Sequence, residues 1–349
     1  MPFDDVEDDG FTDLAARFWH PVARAVDVAP GQVVKATLLD RDLAIWRDHG
    51  GAVHVVDDLC SHRGARLSAG AVADDGCVRC PYHGWSFDGE GACTRIPQLN
   101  PSRSIPSQAD VASFRVSEHA GLVWTCLVGE DEQVRPRPTW AVTEAGTHWV
   151  HVGLTYDWDA QAFRQVENFC DVAHFSVLHV DTFGNPDLQE MDAIHVEVSD
   201  DGWDLRFAYP YKSYNPADGS GPFDMVFDYH VELPFTVDLE GASGPGTVMC
   251  IAPSPVSANR TRLFWICAFP LGVDVDADEY EEIERRIWEP DRAIVNGQRP
   301  DRLPVDLLEE LHLPFDRLAV AYRRGLAGLG FNVPAGRRMD GTPAPGSRG

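Results

Sequence analysis

Cys60-Ser-His62-Arg-Gly and, after seventeen intervening residues, Cys80-Pro-Tyr-His83-Gly-Trp85 are the two short runs on which the reading of this chain turns. Each offers one thiolate and one imidazole from a loop tip. Two thiolates and two neutral imidazoles on a β scaffold can hold either zinc or a [2Fe–2S] cluster. Zinc sites more often carry a C-x-x-C knuckle with the second pair helical or tightly spaced, whereas both halves here are loop-like and glycine-bearing. Glycine lets the backbone come close to a cluster and turn N–H groups toward its sulfurs. Placing two histidines on one iron raises the potential above that of an all-cysteine site. Cys77, three residues before Cys80, is left out because four ligands are complete without it.

Around these loops lie 349 residues with 55 Asp+Glu against 29 Lys+Arg, a formal charge of −26. At roughly 150 residues per domain this is about two domains, long enough to bury cores without disulfides. The acidic balance argues against a nucleic-acid groove or an anionic membrane as partner, since either needs a basic surface. No run approaches the ~20 apolar residues of a membrane span. The opening MPFDDVEDDG lacks the basic and apolar regions of an export signal. A cytoplasmic protein is therefore expected, and its eight cysteines do not read as a secreted disulfide framework.

The first ten residues read as mobile. From Phe18, short strand-like runs follow (VVKATLL, DLAIWRD, AVHVVDD), then the loop-like stretch from Cys60 to Gln98, then ASFRVSEH and GLVWTCLVG. This gives an all-β unit over 18–135, with its ligand loops at 60–85, and RPRPTW marks the boundary. The unit over 136–333 is mixed. Residues 160–180 have helical spacing in Phe163, Val166, Cys170, Ala173 and Val177. AIHVEVS, WDLRFAYPY, FDMVFDYHVEL, VDLEG, TVMCIAPS and TRLFWICAFP alternate as an antiparallel sheet with one buried face. Residues 276–296 read as an amphipathic helix that Pro290 ends or kinks. The Gly-, Pro- and Arg-rich tail 334–349 reads as disordered.

A second constellation lies in Glu167-Asn-Phe-Cys-Asp171-Val-Ala-His174-Phe-Ser-Val-Leu-His179. The histidines are five apart, so they meet only if the helix bends or loosens between them. Asp171, three before His174, shares its face. Two histidines and a carboxylate leave coordination positions open, as in non-haem Fe(II) oxygenases. Taken alone, the pair reads equally well as core or surface histidines.

The loops C-x-H-R-G and C-P-Y-H-G-W resemble those of Rieske iron–sulfur domains, in particular the lower-potential ones of ring-hydroxylating and demethylating oxygenases. Ala65 and Tyr82 stand where respiratory members carry disulfide cysteines, and Trp85 where they carry a serine bonded to a cluster sulfur. The pattern D-x2-H-x4-H is similar to the catalytic domain of Rieske oxygenases. The likeness runs from about Phe18 to Leu329, including FWHPVA and DRLAVAYRRGL. It points to single-component terminal oxygenases such as vanillate O-demethylase, dicamba demethylase and the saxitoxin-pathway Rieske hydroxylases.

That resemblance implies an α+β protein: an N-terminal all-β Rieske [2Fe–2S] domain followed by a catalytic domain of antiparallel sheet and helix (helix-grip, START-like). It assigns the cluster to Cys60, His62, Cys80 and His83, and a mononuclear Fe(II) to His174, His179 and a carboxylate near the C-terminus. In the stretch from Trp288 to Gln298 that carboxylate is Asp291, with Glu289 the rival on another helical face. Asp171 would join His83 of one subunit to His174 of the next, and Asn168 would support the site. The implied activity takes electrons from NAD(P)H through a separate flavin/iron–sulfur reductase or ferredoxin, via the cluster, to Fe(II). O2 is the co-substrate, and a small organic substrate is hydroxylated or O-/N-demethylated. The assembly implied is a homotrimer without a β subunit.

An aromatic-ring cis-dihydroxylating dioxygenase is the alternative enzyme. A Rieske ferredoxin-like electron carrier fused to a binding module is the alternative of another class, and a zinc-stabilised structural protein a third. Phe175, Val177, Phe183, Phe227, Tyr229, Val231, Phe235, Ile251 and Trp265 are candidates to line the pocket. Asp224, Asp228, Asp238 or Glu240 are candidates to engage a cationic group. The glycine-rich run from Gly325 to Gly330 lacks the strand–turn–helix setting of a dinucleotide site. No G-x-S-x-G elbow supports a hydrolase.

Overall fold

The computed structural model describes residues 10–128, 134–213, 222–242 and 244–331. These residues fall into two units, one over 15–137 and one made of 10–14 with 138–331. The tail 334–349 and all but the last of the first ten residues, expected to be disordered and mobile, lie outside the described residues.

A five-residue helix, α1 (Phe11–Ala15), precedes the first strand. The 15–137 unit is built from β1 (His20–Arg24), β2 (Val33–Leu38), β3 (Arg41–Arg47), β4 (Val53–Asp57), β5 (Ala71–Val72), β6 (Val78–Arg79), β7 (Ser86–Phe87), β8 (Cys93–Arg95), β9 (Arg115–His119) and β10 (Leu122–Cys126). They pair in three antiparallel sheets, ordered β1-β10-β9, β2-β3-β4 and β5-β6-β7-β8. The β2–β3 hairpin turns on Leu39 and Asp40, both in the left-handed region at φ 52° and 61°, the twist that two-residue hairpins require. Leu39 is a poor residue for that conformation, and its burial compensates.

The four-stranded sheet corrects the reading of 60–98 as loops alone. Its strands are two or three residues long, too short to show a period, yet Val78 and Phe87 face each other across it and are fully buried. They pack with Trp46, Val56 and Leu67 into the same apolar cluster that holds Cys60 and Cys80. The two cysteine–histidine loops therefore stand on a well-buried core.

The other unit contains β11 (His148–Val152), β12 (Tyr156–Trp158), α2 (Ala162–Cys170), α3 (Phe175–Leu178), β13 (Glu197–Val198), β14 (Asp204–Ser213), β15 (Phe223–Glu232), β16 (Thr236–Glu240), β17 (Val248–Ser257), β18 (Arg260–Pro270), α4 (Ala277–Val295) and α5 (Arg317–Gly328). The strands form an eight-stranded antiparallel sheet, β11-β18-β17-β16-β15-β14-β13, with β12 also on β18. Alternation carries through: Phe227, Tyr229 and Val231 of β15 are buried, whereas Asp228 is exposed. Tyr229 stacks on its cross-strand partner Phe207 at 4.5 Å. AIHVEVS contributes only the two residues of β13, while β11 and β12 were not foreseen.

Two helical expectations change. Residues 160–180 are not one helix: α2 stops at Cys170 and α3 begins at Phe175. Asp171 takes an extended backbone (φ −78°, ψ 124°), and its Oδ1 accepts the Ala173 N–H at 2.9 Å, a local turn that competes with the helix. At the other end of the unit α4 runs through Pro290 as one element, although proline removes the N–H that the Arg286 carbonyl would otherwise receive. Asp276 caps α4 by accepting the Asp278 and Glu279 N–H groups, both at 3.0 Å.

An ion cluster with buried guanidiniums and partly exposed carboxylates fixes α2. Arg323 of α5 donates to Glu167 of α2 at 2.6 and 2.7 Å and to Glu310 at 2.5 Å, and Arg164 of α2 donates to Glu310 at 2.8 Å. Two guanidiniums and two carboxylates balance, the condition under which burying such charges is tolerable. The end of α2 that leads into Asp171 and His174 is thereby anchored.

Candidate functional site

The two cysteine–histidine loops share one backbone design. Cys60 N–H donates to the Ala65 carbonyl and Gly64 N–H to the Cys60 carbonyl, both at 2.9 Å. Cys80 N–H donates to the Trp85 carbonyl at 2.8 Å and Gly84 N–H to the Cys80 carbonyl at 3.1 Å. The glycine in each, at φ +65° and +75°, makes the turn that brings the histidine round. As a result His62 Nδ1 and His83 Nδ1 face each other at 3.1 Å, with the His62 ring stacked on Trp85 at 4.6 Å. Two ligands at right angles on an ion, with bonds of about 2.1 Å, would lie about 3.0 Å apart, so the pair fits a single iron.

The cysteines form the buried half of this site, 3% and 2% exposed. Burial, reinforced by the neighbouring Cys80 sulfur, pushes the Cys60 thiol up to about 11, so thiolates persist here only with a compensating cation. Desolvation, together with the charges of His83 and Arg63, holds His62 below the ordinary imidazole range, in the neutral form that binds metal. Cys77 instead receives a hydrogen bond from the Thr94 hydroxyl at 3.5 Å.

The break after α2 brings the second set together. His174 and His179 bracket the single turn of α3, and their Nε2 atoms lie 3.0 Å apart. Gly184 seals the turn beyond His179, since a Cβ there would meet the Phe175 carbonyl oxygen at 2.0 Å. From α4, Asp291 Oδ1 comes within 3.3 Å of His179 Nε2 and 3.5 Å of His174 Nε2. An ion about 2.1 Å from all three atoms would see them at about 90° to 115°, the arrangement of two histidines and a carboxylate on one face of a metal. Asp291 Oδ1 is buried and receives no hydrogen bond within the described residues, so a cation would satisfy it. His174 Nδ1 lies 3.1 Å from Asp171 Oδ2, a contact that turns Nε2 toward the triangle. Glu289 points elsewhere, paired with Arg292 at 2.6 Å. The Asp171 N–H donates to the Asn168 backbone carbonyl at 3.1 Å, and the Asn168 side chain borders the cavity beside the triangle.

Against the triangle lies a cavity, partly open to solvent. Of the pocket candidates, Phe175, Phe183, Phe227 and Tyr229 line it. Val231 borders a different cavity beside Asp171, and Val177 is exposed. Phe235 stacks on Phe163 and Trp265 donates to the Leu154 carbonyl, while Ile251 is fully buried, and none of the three borders the cavity. The acidic candidates fail. Asp228 and Glu240 are exposed, Asp224 lies beside Lys212, and Asp238 pairs with His230. Residues not foreseen complete the walls: Phe169, Leu239, Ala242, Met249, Glu284, Ile287 and Trp288. Three of these lie on the α4 face of Asp291, at the 284, 287/288, 291 spacing that marks one side of a helix.

Known proteins carry the same two parts. The Rieske [2Fe–2S] domain pattern matches residues 18–115, and the vanillate O-demethylase oxygenase C-terminal domain matches residues 158–330. The methylxanthine N1-demethylase NdmA of Pseudomonas putida is 28% identical over 322 residues, 89% of this chain and 88% of that one. The N3-demethylase NdmB of the same organism is 26% identical over 333 residues, 92% and 91% of the two chains. The solved structure of NdmA with caffeine superposes with a TM-score of 0.79 at 27% identity, covering 91% of each chain. Dicamba monooxygenase shares the fold, with a TM-score of 0.73 at 22% identity over 90% of this chain and 97% of that one.

The chain belongs to the Rieske non-haem iron oxygenases. It is a terminal oxygenase component, and its C-terminal half is of the vanillate O-demethylase type. Its cofactors are a [2Fe–2S] cluster and a non-haem Fe(II), with O2 as co-substrate, as in the family. Members of the family work with a reductase or ferredoxin on small organic molecules. No helix among the described residues is long and apolar enough to cross a membrane.

Proposed function

We propose that this chain removes N- or O-methyl groups from a small aromatic or heterocyclic molecule. The observation that carries the reading is the aromatic-walled cavity closed at one end by His174, His179 and Asp291. Similarity to two methylxanthine demethylases supports it. In this reading 18–135 is the electron-entry domain, with the cluster on Cys60, His62, Cys80 and His83. The catalytic domain is 136–333, with iron on His174, His179 and Asp291.

Iron bound there, supplied with electrons by the cluster, provides the activation of O2. The protein's own contribution is placement. Asp171 and the turn it caps orient His174, and the apolar walls hold the substrate methyl near the triangle and keep bulk water away. One oxygen atom enters a methyl C–H bond, and the other leaves as water with two electrons and two protons. The resulting hemiaminal or hemiacetal collapses to formaldehyde and the free N–H or O–H compound. The Asp171 side chain, 40% exposed, extends the contact by joining His174 to His83 of the partner subunit in a cytoplasmic homotrimer. A separate reductase or ferredoxin draws the electrons from NAD(P)H.

The test is coupled turnover with such a reductase, on a panel of N-methyl and O-methyl aromatic and heterocyclic compounds. The expected result is one formaldehyde per O2 consumed. A cis-dihydrodiol would move the assignment to ring dioxygenation. Cluster reduction with no substrate-dependent O2 uptake would favour an electron carrier.

A further inference from the structure

Resting on the demethylase reading, we propose that Glu284 is the recognition carboxylate of the cavity and that the group it takes is a protonated N-methylamine. Glu284 lies on α4 seven residues before Asp291, on the same face, about 10 Å along the helix axis. That span accommodates an ammonium nitrogen at the carboxylate with its methyl on the metal side. The side chain is 4% exposed and borders the cavity. Lysine and arginine are absent from the described lining residues, and the other carboxylate there, Asp291, faces the two histidines.

Neighbouring cations are engaged elsewhere. Arg285 pairs with Glu282, Arg286 donates to the Asp181 carbonyl, and His151 pairs with Glu281. Burial accordingly raises the Glu284 carboxyl to about 7, against a hydrogen bond from Tyr280 that lowers it. A cation in the cavity would supply the compensation that the protein withholds. Phe169, Phe227, Tyr229 and Trp288 line the same cavity, and aromatic surroundings attract ammonium groups and bury their methyls. The net charge of −26 also favours approach of a cationic substrate.

Calorimetric titration of the anaerobic, iron-loaded protein tests this with two probes of similar size, N,N-dimethylbenzylamine (protonated at neutral pH) and neutral N,N-dimethylbenzamide. Wild type is expected to bind the amine at least roughly tenfold tighter than the amide. Glu284→Gln should lose at least roughly tenfold for the amine and nothing for the amide, with iron content and cluster EPR unchanged. Equal affinities in wild type, no binding of the amine, or a Gln variant that keeps the preference would each overturn the assignment. Formaldehyde released from neutral methyl compounds beside any of those results would sink Glu284 alone. Absence of formaldehyde from every methylated compound would sink the demethylase reading, whatever the amine affinity.

Discussion

Asp291→Ala is expected to cost one iron per chain, leave the cluster and its spectrum intact, and reduce product formation by more than about 100-fold. Mutating groups that merely orient a ligand typically costs about 10- to 100-fold in affinity or activity, and Asp291 closes the triangle itself. The same change should not weaken the metal-free fold. Asp291 Oδ1 receives no hydrogen bond within the described residues, so its removal breaks none there. Thermal melts of metal-free wild type and variant should therefore coincide or favour the variant, while iron analysis separates them. Iron retained at full affinity would move the ligand elsewhere. Glu289 is a poor substitute because it is already tied to Arg292.

Asp171→Asn is expected to keep both metals and lose turnover by at least about 100-fold. Asparagine keeps an oxygen for the Ala173 N–H, so the turn between α2 and α3 survives, but it replaces the carboxylate that meets His174 Nδ1. Asp171→Ala removes the hydrogen bond to the Ala173 N–H as well and should cost about 1 kcal/mol of stability in addition. The informative readout is single turnover: the reduced cluster should persist beside an iron-loaded site instead of discharging in the presence of substrate and O2. Full activity in the Asn variant would reduce Asp171 to a residue that only caps a turn.

How much of this was legible in the sequence depended on how local each constraint is. The proposed cluster ligands were legible because each loop must supply a cysteine and a histidine within three or four residues. His174 and His179 were visible as a pair, but the Asp171 turn that lets them meet is a side-chain event inside a helical pattern. Asp291 lies more than a hundred residues beyond His179, and nothing in its own surroundings marks it as a ligand; family resemblance pointed to it.

The sheet alternation was readable, and period two already sends Asp228 away from Phe227 and Tyr229. What alternation does not tell is which part of the buried face stays open, and so Phe235, Ile251 and Trp265 turned out to be core. Glu284 was hidden for a different reason. In EYEEIERR it reads as one acid among several on a solvated helix, and only its two-turn relation to Asp291 gives it away.

The most direct test of the account is the iron and acid-labile sulfide content of anaerobically purified protein, with EPR after reduction. Two separate centres in one chain predict three irons and two sulfides per chain with a Rieske-type signal, from which Asp291→Ala subtracts one iron and leaves the signal alone. Zinc in place of iron, or two irons per chain with no uptake of added Fe(II), would contradict it.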